Sequence, residues 1–126
     1  MTESTMIAAA ALAAFTGLID AGRAPDVLGL CIDDCAFIAR SQSLGVEALQ
    51  AAMRHRAAAG YESRHVVGMP QISVASGDRI DFTAVIASFR RGAGVTPYAV
   101  ADFAGSLVQI GGEWRFARIE MSAFIE

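Results

Sequence analysis

Apolar residues recur at helical spacing early in the chain and change to a strand-like rhythm after Gly60. Met6 to Leu18 is almost wholly apolar and rich in alanine. Ile7, Ala11, Phe15 and Leu18 fall at three- and four-residue intervals, which predicts a helix to about Ile19 capped by Thr2 or Ser4. Ala-Gly-Arg-Ala-Pro ends that pattern, and Pro25 suits the first turn of a second, short helix running through Leu30. "CAFIARS" reads as a strand. "SLGVEALQAAMRHRAAAG" reads as a third helix, with Val46, Leu49 and Met53 on one side and Gly60 past its end.

Four β-rich segments follow: Tyr61 to Val74, Arg79 to Arg90, Tyr98 to Ile110, and Glu113 to Phe124. "SGD", "RRGAGVTP" and "GGE" separate them, and such short breaks favour antiparallel neighbours. The segments exceed the usual ~5–6 residues of a strand. Small residues within them (Ala99, Ala101, Ala104, Gly105) suggest a strongly bent sheet. The predicted class is α+β: a cone-shaped, strongly curved, mostly antiparallel sheet with helices on its concave face, formed by residues 1–126 as one domain. A bent sheet closed by helices leaves a cavity, a natural small-molecule site. The two central segments are apolar on both faces, Ile80, Phe82 and Ile86 against Val85, Ala87 and Phe89. One face is left for a second copy, so a homodimer through the sheet is expected.

Composition narrows the partners. The 126 residues are 54% apolar and 18% charged, with a net charge of −3 and every cation an arginine. A mildly acidic chain lacks the field that tracks phosphates, which argues against nucleic acid and against an anionic membrane surface. Glu3 precedes the apolar N-terminal run and no cation does, unlike a secretion signal. The run is also shorter than the ~20 residues a bilayer needs. A soluble, cytoplasmic protein is expected. Cys31 and Cys35, in "CIDDC", read as two small buried residues near an element junction rather than a redox or metal pair. No glycine-rich loop follows a strand and opens a helix, so neither metal nor cofactor is expected.

The candidate chemistry begins at "SRHVVGMPQI". Alternation puts Ser63, His65, Val67 and Met69 on one face, the more apolar one, so the His65 imidazole points inward as a candidate proton carrier or as a core histidine satisfied by a carbonyl. Asp102 shares a face with Tyr98, Val100, Ala104 and Val108: either an acid of raised pKa in the pocket or an exposed edge residue. On ideal helical geometry Asp20 lies nearly opposite Phe15 and Leu18. Trp114 and Phe116 are expected in the core, His55 in water, and Arg90 and Arg91 solvated at the start of a loop.

Three stretches, "LIDAGRAPDVLGLCIDDCAFIARS", "SRHVVGMPQISVASGDRIDFTAVIASFRR" and "ADFAGSLVQIGGEWRFARIEM", together resemble the SnoaL-like domains of the nuclear transport factor 2-like superfamily. Relatives there include ketosteroid isomerase, scytalone dehydratase, polyketide cyclases and the small subunits of ring-hydroxylating dioxygenases. The resemblance implies the cystatin-like cone and an aspartate–histidine pair at Asp20 and His65. It turns Asp20 into the mouth of the cone. It places Thr83 where the dehydratases carry a second histidine, Ile19 where they carry a tyrosine, and Phe103 and Gly105 where many members have "Y.D". Two functions are implied. One is cofactor-free dehydration, isomerisation or cyclisation of an apolar or aromatic ligand, with His65 as base and acid, Asp20 as its partner, and Thr83, Tyr98, Asp102, Phe15 and Met69 as ligand-binding residues. The other is a non-catalytic ligand-binding or dimerisation module resembling a dioxygenase small subunit.

Overall fold

In the computed structural model, which describes residues 1–125, the apolar N-terminal run forms α1 (Glu3–Asp20). Thr2 caps it, its hydroxyl accepting from the Thr5 amide at 3.1 Å. The buried face is Ala8, Leu12, Phe15, Thr16 and Ile19, about one residue around the helix from the expected stripe. An Ala-rich helix that is apolar on nearly every side does not mark the face it will bury. The rotation matters for Asp20. It follows buried Thr16 by four residues and so falls on the sheet side. By length and composition α1 would also suit a membrane crossing, and here one side of it lies on the sheet. Gly22, at φ +78°, closes the helix in the left-handed region; the Gly22 and Arg23 amides return to the carbonyls of Ile19 and Leu18.

A 3₁₀ helix (Ala24–Leu30) with Pro25 in its first turn follows. Then come β1 (Cys31–Ala39), β2 (Gln42–Leu44), α2 (Val46–Ala58), β3 (Glu62–Val67), β4 (Gln71–Ala75), β5 (Arg79–Arg91), β6 (Tyr98–Ile110) and β7 (Glu113–Ile125). The sheet order is β2-β1-β7-β6-β5-β3, with β4 also on β5. Every pairing is antiparallel except β1 with β7. This is the expected α+β cone: an open, curved, mostly antiparallel sheet with helices on its inner side.

Several boundaries differ from expectation. β1 starts at Cys31, so "CIDDC" belongs to the strand; both thiols are buried and free. Arg40 and Ser41, both at positive φ, make a tight turn into β2, and α2 therefore opens only at Val46. A turn of that type normally advertises itself with Asn or Gly, which are absent here. The single strand expected over residues 61–74 is two, β3 and β4, laid end to end along one edge of β5. Pro70 interrupts the ladder because it has no amide to donate. Just before it, the Gly68 amide bonds the Val85 carbonyl at 2.8 Å, and a Cβ on Gly68 would lie 3.2 Å from that oxygen.

The core forms where α1 meets the inner face. Strict alternation on β5 turns Ile80, Phe82, Ala84 and Ile86 inward, with Phe103 and Leu107 beside them on β6. A bulge at Ala117 of β7 lets Phe116 and Ile119 both face in. Phe15 drops among these rings, 5.6 Å from Phe103 and 5.9 Å from Phe116 between centroids. Phe15, expected to line the ligand site, is thus a 1%-exposed core residue. Phe116 is buried as expected, and Trp114 is half-buried against the core.

Candidate functional site

Asp20 is the last residue of α1, and β3 runs past it. The neighbouring inward positions of β3 are Ser63 and His65, and both reach the carboxylate. Oδ1 accepts from the Ser63 hydroxyl at 2.7 Å and lies 2.6 Å from Nδ1 of His65; Oδ2 accepts from the His65 backbone amide at 2.9 Å. Ser63, only 3% exposed, in turn accepts from the Arg56 guanidinium at 2.8 Å. Arg56 comes from the inner face of α2, three residues after buried Met53, and also donates to the Tyr61 carbonyl. A relay therefore runs from Arg56 through Ser63 to Asp20 and His65, and three separate elements, α1, α2 and β3, converge on it.

Burial pushes the Asp20 carboxyl up. The hydrogen bonds from Ser63, the His65 amide and the His65 ring outweigh that effect and hold it below the ordinary carboxylate range. An ionised carboxylate only accepts, so Nδ1 of His65 carries a proton and donates it. In the neutral form of the ring, the free base is then Nε2. The imidazole is 10% exposed, and its ring borders a cavity of about 200 Å³ under the end of α1. Ile19, Met53, Ile86, Ala99, Ala101 and Met121 supply apolar walls, and Arg56, Tyr61, Ser88 and Arg90 add polar groups.

The depressed Asp20 pKa has a consequence for stability. A carboxyl whose folded pKa lies below its unfolded value, near 3.8, adds stability above that pH and loses it as pH falls through the folded value. Urea unfolding at pH 6 and pH 3 is expected to show a smaller acid loss in Asp20→Asn than in the unmodified chain. Equal losses would mean that the carboxylate is not held as described.

The other expected site residues lie elsewhere. Thr83, Met69 and Asp102 do come together, but in a groove of about 430 Å³ on the outer face of the sheet, away from His65. On β5 and β6 the positions facing the cavity are Ile86, Ser88, Ala99 and Ala101, so Thr83 and Asp102 point the opposite way. Met69 follows the end of β3 at Val67, past the range of its alternation, and is 61% exposed. Tyr98 stands opposite Phe89 on the outer face, 51% exposed. Among the described residues, no three His, Cys, Asp or Glu side chains gather as a metal-ligand set.

Sequence reasoning missed Arg56, Tyr61, Ser63, Ser88 and Arg90. Two signals were available. Leu49, Met53 and Arg56 share helical spacing, which places Arg56 inward. The alternation Ile80, Phe82, Ala84, Ile86, Ser88 continues to Arg90, because β5 runs on through Arg91. Arg90 therefore lines the cavity, whereas Arg91 is solvated as expected and pairs with Glu62. His55 is exposed, also as expected.

The family model for the SnoaL-like domain matches residues 7–120. Among solved structures, the chain is similar to a candidate scytalone dehydratase of Novosphingobium aromaticivorans, with TM-score 0.79 and 16% identity over 99% of this chain and 89% of that one. It is also similar to an NTF2-like protein with a cystatin-like fold from the same organism (TM-score 0.74, 21% identity, 97% and 82% covered). A third is the β subunit of a candidate aromatic-ring-hydroxylating dioxygenase, again from that organism (TM-score 0.75, 18% identity, 95% and 88% covered). At these identities the likeness is one of fold. No curated protein matches the chain in sequence.

Proposed function

We propose that this chain, which belongs to the SnoaL-like domain family, binds an apolar or aromatic small molecule beneath α1 and moves a proton on it. His65 is the base and acid, and Asp20 its orienting partner. The observation that carries this reading is the 2.6 Å contact between Nδ1 of His65 and Asp20 on an imidazole that borders the cavity. Base and orienter within hydrogen-bond reach, with the base open to a mostly apolar space, is the arrangement general-base chemistry needs.

For a β-hydroxy ketone the step is as follows. Nε2 takes the proton from the carbon next to the carbonyl, and the C–H electron pair becomes a C=C bond as the C–O bond to the β-hydroxyl breaks. The imidazolium, stabilised by Asp20, returns its proton to the departing hydroxide as water. Where a β,γ-double bond stands in place of the leaving group, the same abstraction followed by return of the proton to the γ-carbon shifts the double bond, an isomerisation. The test is α-proton exchange in D2O, followed by NMR, over a panel of cyclic and aryl ketones with and without a β-hydroxyl. Catalysed exchange that depends on His65 is expected for at least one. Ketones that bind beside His65 and exchange no faster than in buffer would favour a non-catalytic module.

That second reading has its own support in the outer face of the sheet. Val66, Val85, Phe89 and Tyr98 are each more than half exposed there, on adjacent strands. Apolar residues massed in this way mark an interaction surface. Under either reading we expect a homodimer through this face. Light scattering at micromolar concentration should give twice the chain mass, and Val85→Arg should return a folded monomer whose unfolding midpoint, unlike that of the unmodified chain, does not rise with protein concentration. A monomeric unmodified chain would sink the dimer.

A further inference from the structure

The cavity beneath α1 holds two cations, and they are not equivalent. Arg56 is matched: one guanidinium nitrogen reaches Ser63, whose hydroxyl donates to Asp20, so a carboxylate lies one hydroxyl away. The same guanidinium stands 3.9 Å from the centre of the Tyr61 ring. Asp20 itself is fully engaged by Ser63 and by the amide and ring of His65. Arg90 has no such partner. Its Nε makes a long 3.4 Å contact to the Ser88 hydroxyl, and its guanidinium lies 5.8 Å from the Tyr61 ring. Among the described residues no carboxylate pairs with it, whereas Arg23, Arg79, Arg91, Arg115 and Arg118 each hold an aspartate or glutamate.

Alternation explains why Arg90 is there. It is the last inward position of β5, and the strand's pairing with β3 and β6 carries that orientation to the rim of the cavity. Arg90, Ala99, Ala101 and Met121 also border a second, outer hollow of about 340 Å³, which His65, Ile19 and Met53 do not. The space therefore has an apolar inner end with the imidazole on its wall, and a cationic outer end at Arg90. A half-buried guanidinium whose two terminal nitrogens bond nothing among the described residues favours a planar anion, and a carboxylate matches it in two parallel hydrogen bonds. The inner volume suits one ring, since an apolar cavity of ~150 Å³ holds benzene.

We propose that the ligand is a one-ring apolar or aromatic acid whose carboxylate is held by Arg90 at the mouth, with its ring inward against Ile19, Met53 and Ile86. This rests on the reading of the cavity as the ligand site, and it adds the charge, size and orientation of what enters.

The test compares benzoate with benzamide, and cyclohexanecarboxylate with its amide, by NMR titration of the His65 ring signals. Each acid is expected to bind at least tenfold more tightly than its neutral amide. Arg90→Gln should abolish that preference while the amide still binds and the unfolding midpoint holds. Arg90→Lys should keep part of the preference, because it keeps the charge without the fork. Arg91→Gln, which alters an exposed ion pair outside the cavity, should leave it whole. Amides that shift His65 as strongly as the acids would overturn the anion proposal and leave the cavity reading standing, as would a preference that survives Arg90→Gln. Should none of the probes perturb His65, the ligand-site reading falls, and this proposal with it.

Discussion

Replacing His65 by glutamine is expected to slow α-proton exchange by about 10²–10⁴-fold, the usual range for removing a positioned acid–base group. Stability should change little. The glutamine amide can still donate to Asp20, so the buried carboxylate need not be stranded, and the backbone amide at position 65 keeps its own bond to Oδ2. What glutamine cannot do is take up and return a proton. Asp20→Asn separates orientation from proton transfer. A carboxamide keeps one acceptor in place of two: its NH2 meets either the His65 backbone amide or Ser63 and Nδ1 of His65, and it carries no charge, so the ring's tautomer is held less firmly. For the neutral ring, nitrogen-15 spectra of the unmodified chain should show the proton on Nδ1 and not on Nε2, and those of Asp20→Asn a mixture of the two tautomers. Exchange in Asp20→Asn should fall by less than in His65→Gln, because the base is still present. The competing account is a core histidine that merely satisfies Asp20. It predicts that His65→Gln loses activity only in proportion to the fraction of chain unfolded, which a urea titration run beside the exchange assay would reveal.

The parts of this fold that could be read from sequence are those where one strong signal decides. The boundaries of β6 are such a case, because Pro97 and Gly111-Gly112 punctuate both ends of an apolar run. The inward turn of His65 is another, since β3 alternates without a bulge from Ser63 to Val67. The misreadings came from local geometry that sequence does not announce. Almost every position of α1 is apolar, so its spacing does not select the buried stripe, and a stripe one residue out sets Asp20 opposite the sheet. Asp102 and Tyr98 were correctly given a common strand face, but nothing in β6 says which of its two apolar faces meets the helices. Gly105 points to the answer in hindsight. A Cβ there would lie 2.9 Å from the rings of Phe82 and Phe103, so its face is the packed one and Asp102 is on the other. Arg90 is legible as an inward residue only when β5 is carried through Arg91, since a strand that stops at position 90 puts that side chain in the loop. Of the relay, Asp20 and His65 came from resemblance and alternation together. Ser63 was placed on the right face without a role, and Arg56 was overlooked in the shadow of His55.

Phe103→Ala should be among the most damaging single substitutions to stability, costing about 3–5 kcal/mol in urea unfolding. Phe103 is 1% exposed and is the common neighbour of three other rings, with centroid distances of 5.6 Å to Phe15, 5.8 Å to Phe82 and 6.1 Å to Phe116. Removing it costs the transfer energy of a full aromatic side chain together with the edge-to-face contacts. The hole cannot close easily. Its walls come from α1, β5 and β7 at once, and the next inward position on β6 is Gly105, which has no side chain to lend. The damage should also reach the site, because Phe15 anchors α1 less than two turns before Asp20. Exchange activity in Phe103→Ala should therefore fall even at temperatures where the chain remains folded, while Phe103→Leu, which refills most of the space, should lose less on both counts. A destabilisation below about 1.5 kcal/mol, the scale of a tolerated volume-conserving swap, would mean that these rings do not pack as a rigid cluster and that α1 is held to the sheet by something other than Phe15.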